Sequence, residues 1–147
     1  MGQQQLLLVI LVTIIVGIAT VVAINTFSSA SDSSNVDMVR NDVVSLAASA
    51  QGYYMKPAML GGGGNSFNGI TFNQVAFPTD GIAGDGLTAF NSNGHYTIAG
   101  TDTTITVTAI PSSRADGPMS LTSGLATDEV ALAASITPNG ITWTANN

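Results

Sequence analysis

The sequence predicts an α+β fold: a long N-terminal α-helix, apolar in its first half and amphipathic in its second, packed on a small antiparallel β-sheet head. Three observations predict it. Residues 6–24 form an unbroken apolar run, residues 36–54 repeat apolar side chains at helical spacing, and several segments from residue 96 onward alternate apolar and polar side chains at strand spacing. The apolar helix and a serine-rich junction are assigned to residues 1–35, and the head, comprising the amphipathic helix, a Gly-rich loop and the strands, to residues 36–147.

The first element reads LLLVILVTIIVGIATVVAI from Leu6 to Ile24, 19 residues without an ionisable side chain. At about 1.5 Å rise per residue this run spans roughly 28 Å of helix, close to the thickness of a bilayer core. The first charged side chain is Asp32. Burying a large aliphatic side chain is worth roughly 1.5 to 3 kcal/mol, so exposing the whole run would outweigh the roughly 5 to 15 kcal/mol that stabilises a domain. Three environments can bury it: a cleaved secretory signal, a bilayer anchor or a bundle of identical helices. Ser28, Ser29 and Ala30 supply the small residues of a secretory cleavage site, but a basic n-region is lacking and the apolar run exceeds the usual length of about 7 to 15 residues. An anchor and a bundle both suit a helix that is apolar on every face. Thr13, Gly17 and Thr20 favour the bundle slightly, because small residues about one turn apart allow helices to approach closely.

Met1-Gly2, followed by Gln3-Gln4-Gln5 and then the aliphatic run, resembles a class III signal sequence, the type carried by type IV pilins and related archaeal filament proteins. The resemblance extends through the second half of the helix and the Gly-rich stretch beyond it. It implies processing between Gly2 and Gln3 by a prepilin peptidase, with the apolar helix retained in the mature subunit. Two departures stand out: the position of the usual glutamate, fifth after the cut, is Leu7, and the leader is only Met1 and Gly2, without Lys or Arg. In a bundle the assembly-interface candidates are Leu6, Leu7, Val9, Ile10, Thr13, Ile14, Gly17, Ile18, Val21 and Ile24.

After Ile24, the sequence Asn25-Thr26-Phe27 and SSASDSS brings poor helix formers that compete for their own backbone groups, and a break or kink is expected there. Ser34 and Asp37 have the spacing of a capping box that would start a second helix near Val36. Val36, Val39, Val43, Leu46, Ala47, Ala50 and Tyr54 then form an apolar stripe, with Asp37, Arg40, Asn41, Ser45 and Ser49 on the other side. Lys56-Pro57 and the glycines at 61–64 end the helix.

Residues 65–93 read as a long ordered loop with one short strand, since apolar pieces such as Ile70, Phe72, Val75 and Phe77 are interrupted by Pro78, Asp80-Gly81 and Asp85-Gly86. Tyr96 and Ile98 begin the strands. Ile105, Val107 and Ala109 alternate with Thr104, Thr106 and Thr108, and Val130, Leu132, Ala134 and Ile136 continue the pattern. A hairpin through Pro138-Asn139-Gly140 leads to Ile141 and Trp143. The expected head core is Val39, Val43, Leu46, Ile105, Val107, Leu132, Ile136 and Trp143, with the helical stripe covering the apolar face of the sheet.

Composition narrows the function. Nine acidic against three basic side chains give a net charge of -6, which repels phosphate backbones and argues against nucleic acid as a partner. The absence of cysteine removes disulfides, thiol nucleophiles and thiolate metal sites. His95 is the only histidine, which excludes a multi-histidine metal centre, and its neighbour Gly94 suggests a turn or surface residue. GGGGNSF at 61–67 lacks the lysine and helix start of a phosphate-binding loop and reads as a tightly turned or flexible connection. Asp80 and Asp85 lack EF-hand spacing, and the adjacent pair Asp128-Glu129 has no evident partner. No cofactor, metal site or catalytic residue is expected, and the chain reads as a non-enzyme.

The expected function is that of a structural pilin in an extracellular type IV pilus-like filament, built by packing of apolar N-terminal helices among identical subunits. The cytoplasmic membrane would hold the subunit before assembly and the cell surface would carry the filament. The resemblance adds a pilus assembly machinery with an ATPase motor and platform protein, and adhesion or motility as uses. The alternative is a single-span, membrane-anchored binding protein, or a minor pseudopilin of a secretion apparatus.

Overall fold

The computed structural model describes residues 2–115, 121 and 131–144. Its first element is α1 (Gly2–Met55), 54 residues of uninterrupted helix. The break expected around residues 25–35 is not made. Serine, asparagine and aspartate each cost a helix interior less than about 0.7 kcal/mol, whereas extending a formed helix adds one backbone hydrogen bond per residue fixed. Thr26 adapts by donating its hydroxyl to the Val22 carbonyl at 2.9 Å. Asp37, expected in a capping box, instead pairs with Arg40 at 3.3 Å on the exposed helix surface.

The chain divides into two compact units, Met1–Ser34 and Asn35–Asn147. In the second unit, α1 buries Val36, Val39, Val43, Leu46, Ala47, Ala50 and Tyr53. The stripe thus ends on Tyr53 rather than Tyr54. Tyr54 is half-buried and lies with its ring centroid 4.7 Å from that of Phe67. The helix stops where its last carbonyls are taken over by the glycine loop: Gly63 N–H donates to Tyr53 O at 2.9 Å, Gly64 N–H to Lys56 O at 3.0 Å and Asn65 N–H to Tyr54 O at 2.9 Å. Any side chain at Gly63 would collide with the Ser66 carbonyl, and Gly64 sits at a φ of +58°, so glycine is required for this close wrap. The loop is a tightly turned connection.

Beyond it, Phe67, Ile70, Phe72 and Val75 insert into the core. The sheet is a six-stranded antiparallel meander in chain order: β1 (Gly81–Ile82), β2 (Thr88–Phe90), β3 (Gly94–Gly100), β4 (Ile105–Pro111), β5 (Leu132–Thr137) and β6 (Gly140–Thr144). Two short strands, not one, therefore lie in the segment read as loop. Registers such as Tyr96↔Ala109, Ile98↔Val107 and Val107↔Ala134 place Tyr96, Ile98, Ile105, Val107, Ala109, Ala134 and Ile136 on one face. These residues form a single core cluster with the stripe of α1. Thr106, Thr142 and Thr144 are exposed on the opposite face. The hairpin from β5 to β6 turns through Pro138 and Asn139, closed by the pair Thr137↔Gly140.

Of the expected core, Val39, Val43, Leu46, Ile105, Val107 and Ile136 are buried, and Leu132 is partly buried against the cluster. Trp143 is a correction: it shares the covered face with Ala134 but remains 38% exposed. It stands on β6, which among the described residues pairs with β5 alone, so one flank of the indole has no described strand beside it. Val130 lies outside the described residues.

Candidate assembly interface

The first half of α1 owes its character to 14 large aliphatic side chains between Leu6 and Ile24, each 49–69% exposed. An 18-residue window of the helix reaches a mean hydropathy of 3.2 and is wholly unburied, so the helix is long and apolar enough to cross a membrane. The two hydroxyls in the run are satisfied within the helix, Thr13 donating to the Val9 carbonyl at 2.6 Å and Thr20 to the Val16 carbonyl at 2.8 Å. An intramembrane or interhelix setting therefore finds no orphan hydroxyl in this stretch.

The sequence-derived candidates Leu6, Leu7, Val9, Ile10, Thr13, Ile14, Gly17, Ile18, Val21 and Ile24 are all exposed, and at helical spacing they share one side of α1, the other side carrying Leu8, Leu11, Val12, Ile15, Val16 and Val22. A Cβ at Gly17 would meet no atom within 4 Å, which leaves that position open to a close neighbour. A shallow apolar groove runs along one face through Val16, Ala19, Thr20, Ala23, Ile24 and Phe27. Ala19, Thr20 and Ala23 are its small side chains. Phe27, 78% exposed, stands at its end. Of the groove residues only Ile24 is among the interface candidates; Val16, Ala19, Thr20, Ala23 and Phe27 are not, and the i, i+4, i+8 spacing of Ala19, Ala23 and Phe27 is the available signal. Gly2 and Gln3, the expected processing positions, are exposed and helical, and Met1 lies outside the described residues.

The head carries a polar constellation that sequence reasoning missed. The Asp42 Oδ2 atom accepts hydrogen bonds from Tyr96 Oη at 2.6 Å, Asn93 Nδ2 at 2.9 Å and Asn91 Nδ2 at 3.0 Å. Asn91 Oδ1 in turn accepts from the backbone N–H groups of Asn93 and Gly94, fixing the turn that enters β3. Burial pushes the Tyr96 phenol well above its usual range, and the hydrogen bond and charge of Asp42 push it further in the same direction. With three donors on one oxygen, the carboxylate acts as a lock between helix and sheet. Nothing in this arrangement presents a nucleophile to solvent.

His95 is also a correction. Instead of a turn or surface residue, it is a β3 residue only 2% exposed, lying across the sheet from Phe90 and Ile110. Its imidazole hydrogen-bonds the Leu121 backbone, and Nε2 has no partner among the described residues. Desolvation lowers its pKa below 6.5. The folded head therefore binds fewer protons than the unfolded chain, whose histidine titrates near 6.5. Stability is full above that pH and falls as pH drops through the window below it. Melting temperature is expected to decline between about pH 7 and 5, the range of ordinary histidine titration, and His95→Phe is expected to flatten that decline.

Among the described residues, no three His, Asp, Glu or Cys side chains cluster to hold a metal. Asp85 accepts the Leu87 N–H at 3.0 Å, a local turn contact. Asp128 and Glu129 lie outside the described residues. The chain matches no protein-family model, no curated protein and no solved structure.

Proposed function

We propose that this chain is the structural subunit of an extracellular, type IV pilus-like helical filament, in which the apolar N-terminal halves of α1 from identical subunits pack against one another. The carrying observation is the set of 14 exposed aliphatic side chains on a single helical half. Their full burial would be worth roughly 1.5 to 3 kcal/mol each, a drive that no soluble state of the monomer satisfies. A bilayer satisfies it before assembly, and other copies of the helix satisfy it afterwards. Because a helix exposed on all sides offers different faces to different neighbours, the contacts are heterologous and propagate instead of closing.

The head in this reading is a passive display surface, acidic like the chain as a whole, whose net charge is -6. The Asp42 carboxylate is engaged by Asn91, Asn93 and Tyr96 within the head itself. Partners are identical subunits, the membrane of the precursor and, by the resemblance of the N-terminal sequence, a prepilin peptidase and an assembly machinery. Adhesion or motility is the proposed use, at the cell surface.

The test is fractionation. Sheared cell surfaces are expected to yield the chain as long, uniform fibres. Recovery solely in detergent-extracted membranes, with no fibre in the sheared fraction, would support the single-span binding protein instead and reject the filament.

A further inference from the structure

Asn-Gly pairs occur at Asn68-Gly69, Asn93-Gly94 and Asn139-Gly140. In such a pair the glycine amide nitrogen approaches the preceding side-chain amide carbon with least hindrance, because glycine has no Cβ. The fold treats the three pairs differently. At Asn93 the side-chain amide donates to Asp42 at 2.9 Å, and the Gly94 N–H donates to Asn91 Oδ1 at 3.0 Å, so leaving group and nucleophile are both engaged. Gly94 is also buried. At Asn139 the glycine closes the β5–β6 hairpin opposite Thr137, whose hydroxyl donates to the Gly140 carbonyl at 3.1 Å.

Asn68-Gly69 has neither restraint. Both residues are exposed, at the centre of a turn closed by Ile70 N–H donating to Phe67 O at 3.2 Å. Gly69 has a φ of +78° and no atom within 4 Å of where a Cβ would stand. Among the described residues, neither the Asn68 side-chain amide nor the Gly69 N–H makes a hydrogen bond.

We propose that Asn68 is a site of spontaneous deamidation. The Gly69 nitrogen attacks Cγ of Asn68 and forms a C–N bond, while the Cγ–Nδ2 bond breaks and ammonia leaves with the proton lost by the Gly69 nitrogen. Water, the only co-reactant, then opens the resulting cyclic imide at either carbonyl to give aspartate or isoaspartate. The product adds one negative charge to a chain of net charge -6. The isoaspartate route also inserts a methylene into the backbone between Phe67 and Ile70, two buried core anchors. The new carboxylate arises in a segment already tied to Asp102, which bonds Ser66 Oγ at 3.2 Å and accepts the Phe67 N–H at 3.2 Å. Age thus writes a charge and a backbone kink onto this corner of the head, whether or not the chain forms filaments.

Peptide mass mapping of the full chain in detergent, incubated at mildly alkaline pH, tests the assignment. The peptide holding Asn68 is expected to gain about 1 Da and to resolve into aspartate and isoaspartate forms. The Asn93 peptide is expected to convert about a hundredfold more slowly, the order of rate lost when reacting groups are held out of alignment. Denaturant is expected to collapse that difference. Asn93 or Asn139 converting as fast as Asn68 in the folded chain would overturn the proposal, as would an intact Asn68 under conditions where the denatured chain loses ammonia.

Discussion

Val16→Asp is expected to yield no filaments while leaving the head folded. Val16 lines the groove that continues through Ala19, Thr20 and Ala23, in the middle of the apolar run. A carboxylate buried there among aliphatic side chains costs several kcal/mol per subunit unless it is paired, and the nearest charged side chain along the helix is Asp32, of the same sign. In a polymer that penalty recurs at every copy. Membrane insertion is expected to survive, because one aspartate subtracts only about 2.5 to 3.5 kcal/mol from a run whose other 13 large aliphatic side chains are intact. Membrane-bound, undegraded subunit with empty sheared fractions is therefore the predicted result, and Val16→Leu, which keeps the surface apolar, is expected to assemble. Filaments of normal yield from Val16→Asp would remove the bundle from the account.

The second large effect is predicted for Asp42→Ala, on stability rather than assembly. The substitution removes the acceptor of three hydrogen bonds and strands the hydroxyl of Tyr96, a residue with 0% exposure. Asn91 keeps its bond to the Pro78 carbonyl at 3.2 Å, and Asn93 is only half-buried, so most of the loss falls on Tyr96. A buried group left unsatisfied costs about 1 to 3 kcal/mol, and bonds to a charged acceptor are at the strong end, which gives a total of roughly 3 kcal/mol. For a domain of this size the melting temperature should fall by more than about 10 °C. Asp42→Ala combined with Tyr96→Phe is expected to be less destabilised than the sum of the two single changes, because the double variant leaves no stranded phenol. A melting temperature within a degree or two of the unmodified chain would show that the lock contributes little.

Much of the fold was legible because hydrophobic period is a local property. The stripe from Val36 to Ala50 and the alternation around Ile105 and Val107 appear in the sequence as they do in the head. What failed was governed by context. Serine and asparagine in residues 25–35 lower helix propensity, yet the helix continues through them. Trp143 has the right parity for the core, but parity does not say that β6 pairs with β5 alone among the described residues. The strands β1 and β2, two and three residues long, are too short to carry a period.

The exposed apolar half of α1 was legible from composition alone, since 19 consecutive residues without an ionisable group require shelter. The Asp42 lock was not, because its partners Asn91, Asn93 and Tyr96 lie 49, 51 and 54 residues away in sequence. An aspartate beside an apolar stripe reads as solvated until the turn it meets is known. His95 was misread for a related reason: Gly94 does close the turn onto Asn91, but it is also the first residue of β3, so His95 already lies inside the sheet.

Side-chain-resolution imaging of fibres sheared from cells addresses the bundle itself. The account predicts a central column of helices in which Leu6 to Ile24 of every subunit touch the same segment of several neighbours, with heads outermost. Fibres whose axis is built from heads, with those helices facing water or lipid, would contradict it.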